Sequence, residues 1–207
     1  MNALIFGRRR QGKSTLSLVL AAATGAQTIL ILDPNDQYGH VPVLHLADLA
    51  VWLRRGGRLA RIMPEQPVAD FAAVLAVLDA GRWAWADWAL VVDESSYLQR
   101  PQAIDPEFER LMRQSPADIH LVQNTHRVVD THNLVRALAT DVFIFATHLQ
   151  RDLDYLALNF GPGLADRAAT LAPYQVIHWW VAPGGAPAWQ VWNEPQAWYY
   201  NIGRDSK

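Results

Sequence analysis

At 207 residues, with 51% hydrophobic and 18% charged residues, the chain is sized for one sizeable α/β core rather than two domains. It contains no cysteine, which rules out disulfides and thiolate metal sites. A formal net charge of -2 argues against a surface that is basic everywhere, although a ring can still gather basic residues along a central channel.

Asn2 to Phe6 reads as a short buried strand that begins almost at Met1, leaving no room for the charged and apolar regions of a signal peptide. No apolar run approaches the roughly 20 residues of a membrane span. A cytoplasmic protein is therefore expected.

Gly7-Arg8-Arg9-Arg10-Gln11-Gly12-Lys13-Ser14-Thr15 follows, matching the phosphate-loop pattern of Gly, four free positions, Gly-Lys and Ser or Thr. Ser14 to Ala21 after it reads as a helix, completing the strand–loop–helix context. The two glycines free the backbone to turn successive N–H groups toward a phosphate chain, and the helix N-terminus adds partial positive charge. The expected nucleotide-binding residues are Gly7, Arg10, Gln11, Gly12, Lys13, Ser14 and Thr15. Lys13 reaches the outer phosphates and the Ser14 hydroxyl binds Mg²⁺, so the expected cofactors are ATP and Mg²⁺. Arg8, Arg9 and Arg10 cannot all point at one ligand.

Gln27 to Leu32 reads as a second buried strand ending in Asp33-Pro34-Asn35-Asp36-Gln37-Tyr38-Gly39. Ligands gather at the carboxyl ends of strands in open α/β sheets, which puts Asp33 at the edge of the phosphate loop. Val43 to His45 suggests a brief strand. Ala47 to Gly56 has helical spacing, Arg58 to Met63 returns as a strand, and Val68 to Ala80 is an amphipathic helix stopped by Gly81. This βαβα alternation implies a mostly parallel sheet with helices on both faces.

Trp88-Ala89-Leu90-Val91-Val92-Asp93-Glu94 is an apolar strand ending in two carboxylates. Asp93 is expected to hold Mg²⁺, and Glu94 to orient the attacking water or take its proton. Pro106 to Gln114 reads as a helix. Asp118 to Asn124 reads as a strand running into Thr125-His126-Arg127, where Gln123, Asn124 and His126 all qualify to sense the terminal phosphate.

A short helix is expected over Asn133 to Ala139, a strand over Asp141 to Ala146, and helices over Asp152 to Asn159 and Gly163 to Leu171. Tyr174 to Val181 and Ala188 to Trp192, separated by Pro183-Gly184-Gly185, have the signature of a hairpin. Trp179, Trp180, Trp189, Trp192 and Trp198 crowd this end beside Tyr199 and Tyr200. They read either as packing of the hairpin on the sheet or as a docking surface.

The order of these motifs resembles the FtsK–HerA superfamily of P-loop motor ATPases. The resemblance rests on Gly7 to Thr15, on Asp33-Pro34-Asn35-Asp36-Gln37-Tyr38, on Asp93-Glu94, and on Ile119-His120-Leu121 leading to Thr125-His126-Arg127, and covers roughly residues 1 to 150. It implies a RecA-like α/β three-layer sandwich carrying a C-terminal hairpin. The whole of 1–207 is then a single P-loop ATPase domain, with a motor core over 1–150 and an extension of the same domain over 151–207. His126 stands where the family usually has Gln, which shifts the sensor expectation to Gln123. An arginine finger acting on a neighbouring subunit is implied at Arg113, with Arg110 as the other match.

The expected catalytic set is thus Lys13, Glu94, Gln123 and Arg113. The compact size, with the motor starting at Met1, resembles the genome-packaging ATPases of membrane-containing, double-jelly-roll icosahedral viruses. That resemblance implies an ATP-driven motor on double-stranded DNA, in a homo-oligomeric ring of five or six, in the host cytoplasm or on the virion. It also implies docking to a capsid vertex or membrane protein through the Trp-rich end. A plasmid or cellular DNA-translocating or assembly ATPase of the same superfamily is the nearest alternative, and a small-molecule P-loop kinase a more distant one.

Overall fold

The computed structural model describes residues 1–80, 88–114, 119–182 and 185–193. Expectations placed on Gly81, Asp118, Pro183, Gly184, Trp198, Tyr199 and Tyr200 lie outside the described residues.

In chain order the elements are β1 (Asn2–Phe6), α1 (Lys13–Ala23), β2 (Thr28–Leu32), α2 (Leu49–Arg54), β3 (Leu59–Ile62), α3 (Pro67–Ala80) and β4 (Trp88–Val92). A small ribbon follows, β5 (Gln99–Arg100) with β6 (Ala103–Ile104), then α4 (Pro106–Gln114) and β7 (Ile119–Thr125). The chain continues through α5 (Asn133–Leu138), β8 (Asp141–Phe145), α6 (Gln150–Phe160), α7 (Pro162–Ala169), β9 (Val176–Val181) and β10 (Pro187–Trp192).

The large sheet runs β10-β9-β8-β1-β7-β4-β2-β3. From β8 to β3 every pairing is parallel, and β9 and β10 are antiparallel. The parallel strands are buried on both faces, which is why β4, buried at all five positions, is a continuous apolar run rather than an alternating one. On one face α1 inserts Leu16, Val19 and Leu20 against Ile5, Val91, Val122 and Phe145. On the other, α2 to α7 pack Leu53, Phe71, Phe108, Val135, Leu156 and Leu164 against the alternate strand residues.

The expected elements are present, with local differences. The helix expected from Ala47 opens as a 3-10 turn at Leu46–Asp48 before α2 and stops at Gly56, whose φ of 71° is left-handed. Val43 contributes an isolated bridge to Arg61 rather than a strand. In the hairpin, Trp179 meets Phe160 edge-on at 5.1 Å, Trp192 meets Phe143 at 5.3 Å, and Trp180 packs on His178 at 4.7 Å. Packing on the sheet thus occupies these three rings, while Trp189 is exposed.

Candidate functional site

The loop after β1 is shaped by contacts that leave little freedom. Gly7 is required by close approach: a Cβ there would lie 2.7 Å from Phe145 Cβ and 2.6 Å from Gln11 Oε1. Arg10 and Gly12 take left-handed backbone, with φ of 64° and 99°, and Gly12 caps α1. Lys13 folds back so that Nζ donates to Gly7 O at 2.7 Å and Arg8 O at 3.0 Å. Burial lowers the Lys13 pKa, against the opposing pull of Asp93 and Glu94.

Beside the loop, Asp93 follows β4 and is almost fully buried. Asn124 donates to its Oδ1 at 2.8 Å, and Ser17 Oγ in turn donates to Asn124 Oδ1 at 2.7 Å. The Tyr38 hydroxyl accepts from Asn124 Nδ2 at 3.2 Å and lies against Ser14 and Ser17. Desolvation raises the Asp93 pKa, opposed by the Asn124 hydrogen bond. Desolvation likewise keeps the Tyr38 hydroxyl protonated.

Glu94 is the next residue, held in a left-handed conformation with φ 55° and ψ 63°. Its Oε2 is 2.7 Å from His126 Nε2, and its Oε1 accepts from the Ser96 hydroxyl. His126 Nδ1 is 3.3 Å from Lys13 Nζ. An ammonium can only donate, so Nδ1 is the acceptor and Nε2–H donates to Glu94. His126 therefore links the loop lysine to the carboxylate.

These groups open on one cleft of about 700 Å³. Arg10, Gly12, Lys13, Ser14 and Thr15 line it from the loop, Asp93 and Glu94 from the end of β4, and His126 from the end of β7. Asn35 and Gln37 reach it from the loop after β2, and Tyr174 from the turn before β9. The described residues hold no cluster of three or more His, Cys, Asp or Glu side chains suited to a metal. The oxygen donors of Ser14 and Asp93 still fit Mg²⁺, which takes one or two carboxylates together with substrate phosphates.

Four expectations are corrected or refined by placement. Gln123 is fully buried and faces away from the cleft: its Nε2 meets Asn2 Oδ1 at 3.2 Å and Met112 Sδ at 3.4 Å. The reason is strand alternation, which sends Gln123 and Asn124 to opposite faces of β7. Gln11 braces the loop, accepting from Arg8 N at 2.7 Å and donating to Ala146 O at 3.0 Å. Arg113 is on α4, paired with Glu109 at 2.8 Å, and Arg110 is paired with Glu107 at 2.9 Å; neither lines the cleft. Asp33, fully buried, accepts from Gln37 N at 2.8 Å and Tyr38 N at 3.0 Å and pairs with Arg61 at 2.8 Å. It therefore shapes the loop that delivers the Tyr38 hydroxyl.

Ser17 was not singled out by motif. Its signal is helical spacing, since it lies four residues after Lys13 on the same face of α1.

No family model matches the chain, and no curated protein matches it in sequence. Solved structures share its fold. The genome packaging NTPase B204 from Sulfolobus turreted icosahedral virus 2 in complex with ATP-gammaS is 17% identical with a TM-score of 0.74, over 93% of this chain and 96% of that one. The same protein in complex with AMPPCP gives 18% identity and a TM-score of 0.75, over 93% and 96% of the two chains. B204, the DNA-packaging ATPase from Sulfolobus Turreted Icosahedral Virus, gives 20% identity and 0.71, over 94% and 99%. The fold is the P-loop NTPase sheet that the resemblance to FtsK–HerA motors implied.

Proposed function

We propose that the protein is a Mg²⁺-dependent ATPase whose hydrolysis moves double-stranded DNA, in the manner of a viral genome-packaging motor. The observation that carries the reading is the convergence of Lys13, Asp93 and the Glu94–His126 pair on one cleft around the phosphate loop. The likeness of fold to packaging NTPases crystallised with ATP analogues supports it.

In this reading the backbone N–H groups from Gly12 to Thr15 hold the phosphates, and Lys13 exchanges its loop carbonyls for phosphate oxygens. Ser14 and Asp93 would hold Mg²⁺, which would neutralise charge on the phosphate oxygens. Glu94 orients the attacking water and accepts its proton. His126, bonded to both Lys13 and Glu94, takes the sensing position that Gln123 does not reach. Asn124 fixes the orientation of Asp93. The arginine expected in the hydrolytic site comes from another subunit, with the exposed Arg113 of α4 as the residue to test.

The deciding experiment is an ATPase assay with and without long double-stranded DNA, with Lys13→Ala as control. Hydrolysis that rises with DNA and is lost in Lys13→Ala supports the reading. Wild-type protein that hydrolyses no ATP in either condition overturns it.

A further inference from the structure

The turn entering β9 departs from ordinary turn chemistry at the edge of the nucleotide cleft. Gln175 N donates to Ala172 O at 3.1 Å, closing a four-residue turn over Ala172-Pro173-Tyr174-Gln175. Pro at the second position and positive φ at the third are the pattern of a type II turn, whose third position ordinarily takes Gly or Asn. Here that position is Tyr174, with φ of 63°. A bulky residue in left-handed backbone is strained, and such strain gathers where a side chain has to be presented.

The surrounding contacts hold the turn in place. Gln175 Oε1 accepts from Ala172 N at 2.9 Å, and its Nε2 donates to Asn193 Oδ1 at 2.7 Å, tying the turn to the end of β10. Tyr174 nevertheless contributes little to the core, since 49% of it is exposed, and it lines the cleft. The turn holds an aromatic ring up rather than burying it.

Its position sets what the ring can meet. Val176 pairs with Phe145 at the carboxyl end of β8, so Tyr174 lies at the same sheet edge as the phosphate loop. Along that edge β9 and β4 flank β8, β1 and β7. Asp93 and Glu94 are therefore four strand spacings from Tyr174, about 19 Å. The phosphate loop lies between them, and a nucleoside triphosphate with its terminal phosphate at Glu94 extends its base toward Tyr174.

We infer that Tyr174 is the stacking platform for the nucleotide base. The inference rests on the nucleotide reading above and adds a recognition element that neither the phosphate-loop pattern nor the Asp93-Glu94 pair contains. An exposed ring offers a π face, and base–aromatic stacking is tolerant of which base is bound.

The test compares binding of Mg-ADP and of inorganic tripolyphosphate by titration calorimetry in wild type, Tyr174→Gly and Tyr174→Phe. Tyr174→Gly is expected to weaken Mg-ADP binding by roughly tenfold or more while leaving tripolyphosphate binding within about twofold. Because Gly suits the turn, its Tm is expected to be unchanged or raised. Tyr174→Phe is expected to keep wild-type affinity for both ligands. Unaltered Mg-ADP binding by Tyr174→Gly overturns the inference, as does a parallel loss of both ligands, a fall in Tm, or loss of Mg-ADP binding in Tyr174→Phe. Wild type that binds neither ligand overturns the nucleotide reading itself, an outcome distinct from the others.

Discussion

Glu94 combines two properties that ordinary packing does not require: a left-handed backbone and a carboxylate fixed by His126 on one oxygen and Ser96 on the other. If it serves the attacking water, Glu94→Gln keeps nucleotide binding and lowers hydrolysis by roughly 10²–10⁴-fold, read by single-turnover assay. Asp93 carries an electrostatic cost. Burial raises its folded pKa above that of the unfolded chain, so the native state holds the proton more tightly and stability falls as pH rises through that window. Asp93→Asn is therefore expected to raise Tm at pH 7, with the gain vanishing at pH 3 where wild type is itself protonated. Equal Tm values at pH 7 would contradict this. Arg61 illustrates the opposite case. Its removal leaves fully buried Asp33 without a countercharge, and Arg61→Ala is expected to cost about 3 kcal/mol in denaturant unfolding.

At the scale of elements, the phosphate loop depends on β8 as much as on β1, because Gly7 rests on Phe145 and Gln11 on Ala146. Gly7→Ala is expected to push the loop off β8, destabilising by about 1–3 kcal/mol and weakening nucleotide binding in the same titration. The sequence made the strands legible because parallel strands buried on both faces leave unbroken apolar runs such as Leu4-Ile5-Phe6 and Ala89-Leu90-Val91-Val92. The phosphate loop was legible because its geometry demands glycine and lysine at fixed spacing. Other features were not. The choice among Gln123, Asn124 and His126 depends on which face of the sheet each takes at the end of β7, and a strand buried on both faces, with polar His120, Gln123, Asn124 and Thr125 mixed among apolar residues, gives no alternation to show it. The β5–β6 ribbon is too short to display a period. The structural part of Asp33 was hidden because its partner, Arg61, lies 28 positions away and is brought to it by the pairing of β2 with β3.

At the scale of the whole molecule, neither Arg113 nor Arg110 lines the cleft, and both side chains reach solvent from α4. A ring in which Arg113 completes a neighbour's site predicts that Arg113→Ala and Glu94→Gln, each inactive alone, regain partial ATPase activity on mixing. Additive inactivity in the mixture would exclude action across subunits. The strand order carries a further consequence, for how the chain is made. β1 is hydrogen-bonded between β7 and β8, with Leu4 opposite Gln123 and Val142. Its neighbours thus arrive more than a hundred residues after it, and such distant pairings form slowly. During synthesis, Gly7 to Thr15 leaves the ribosome more than a hundred residues ahead of the strands it contacts, β7 through Thr125 O and β8 through Phe145. If the cleft binds nucleotide as proposed, capture is deferred until β8 has been made, and a nascent chain stalled before β7 would carry the phosphate-loop sequence without the site.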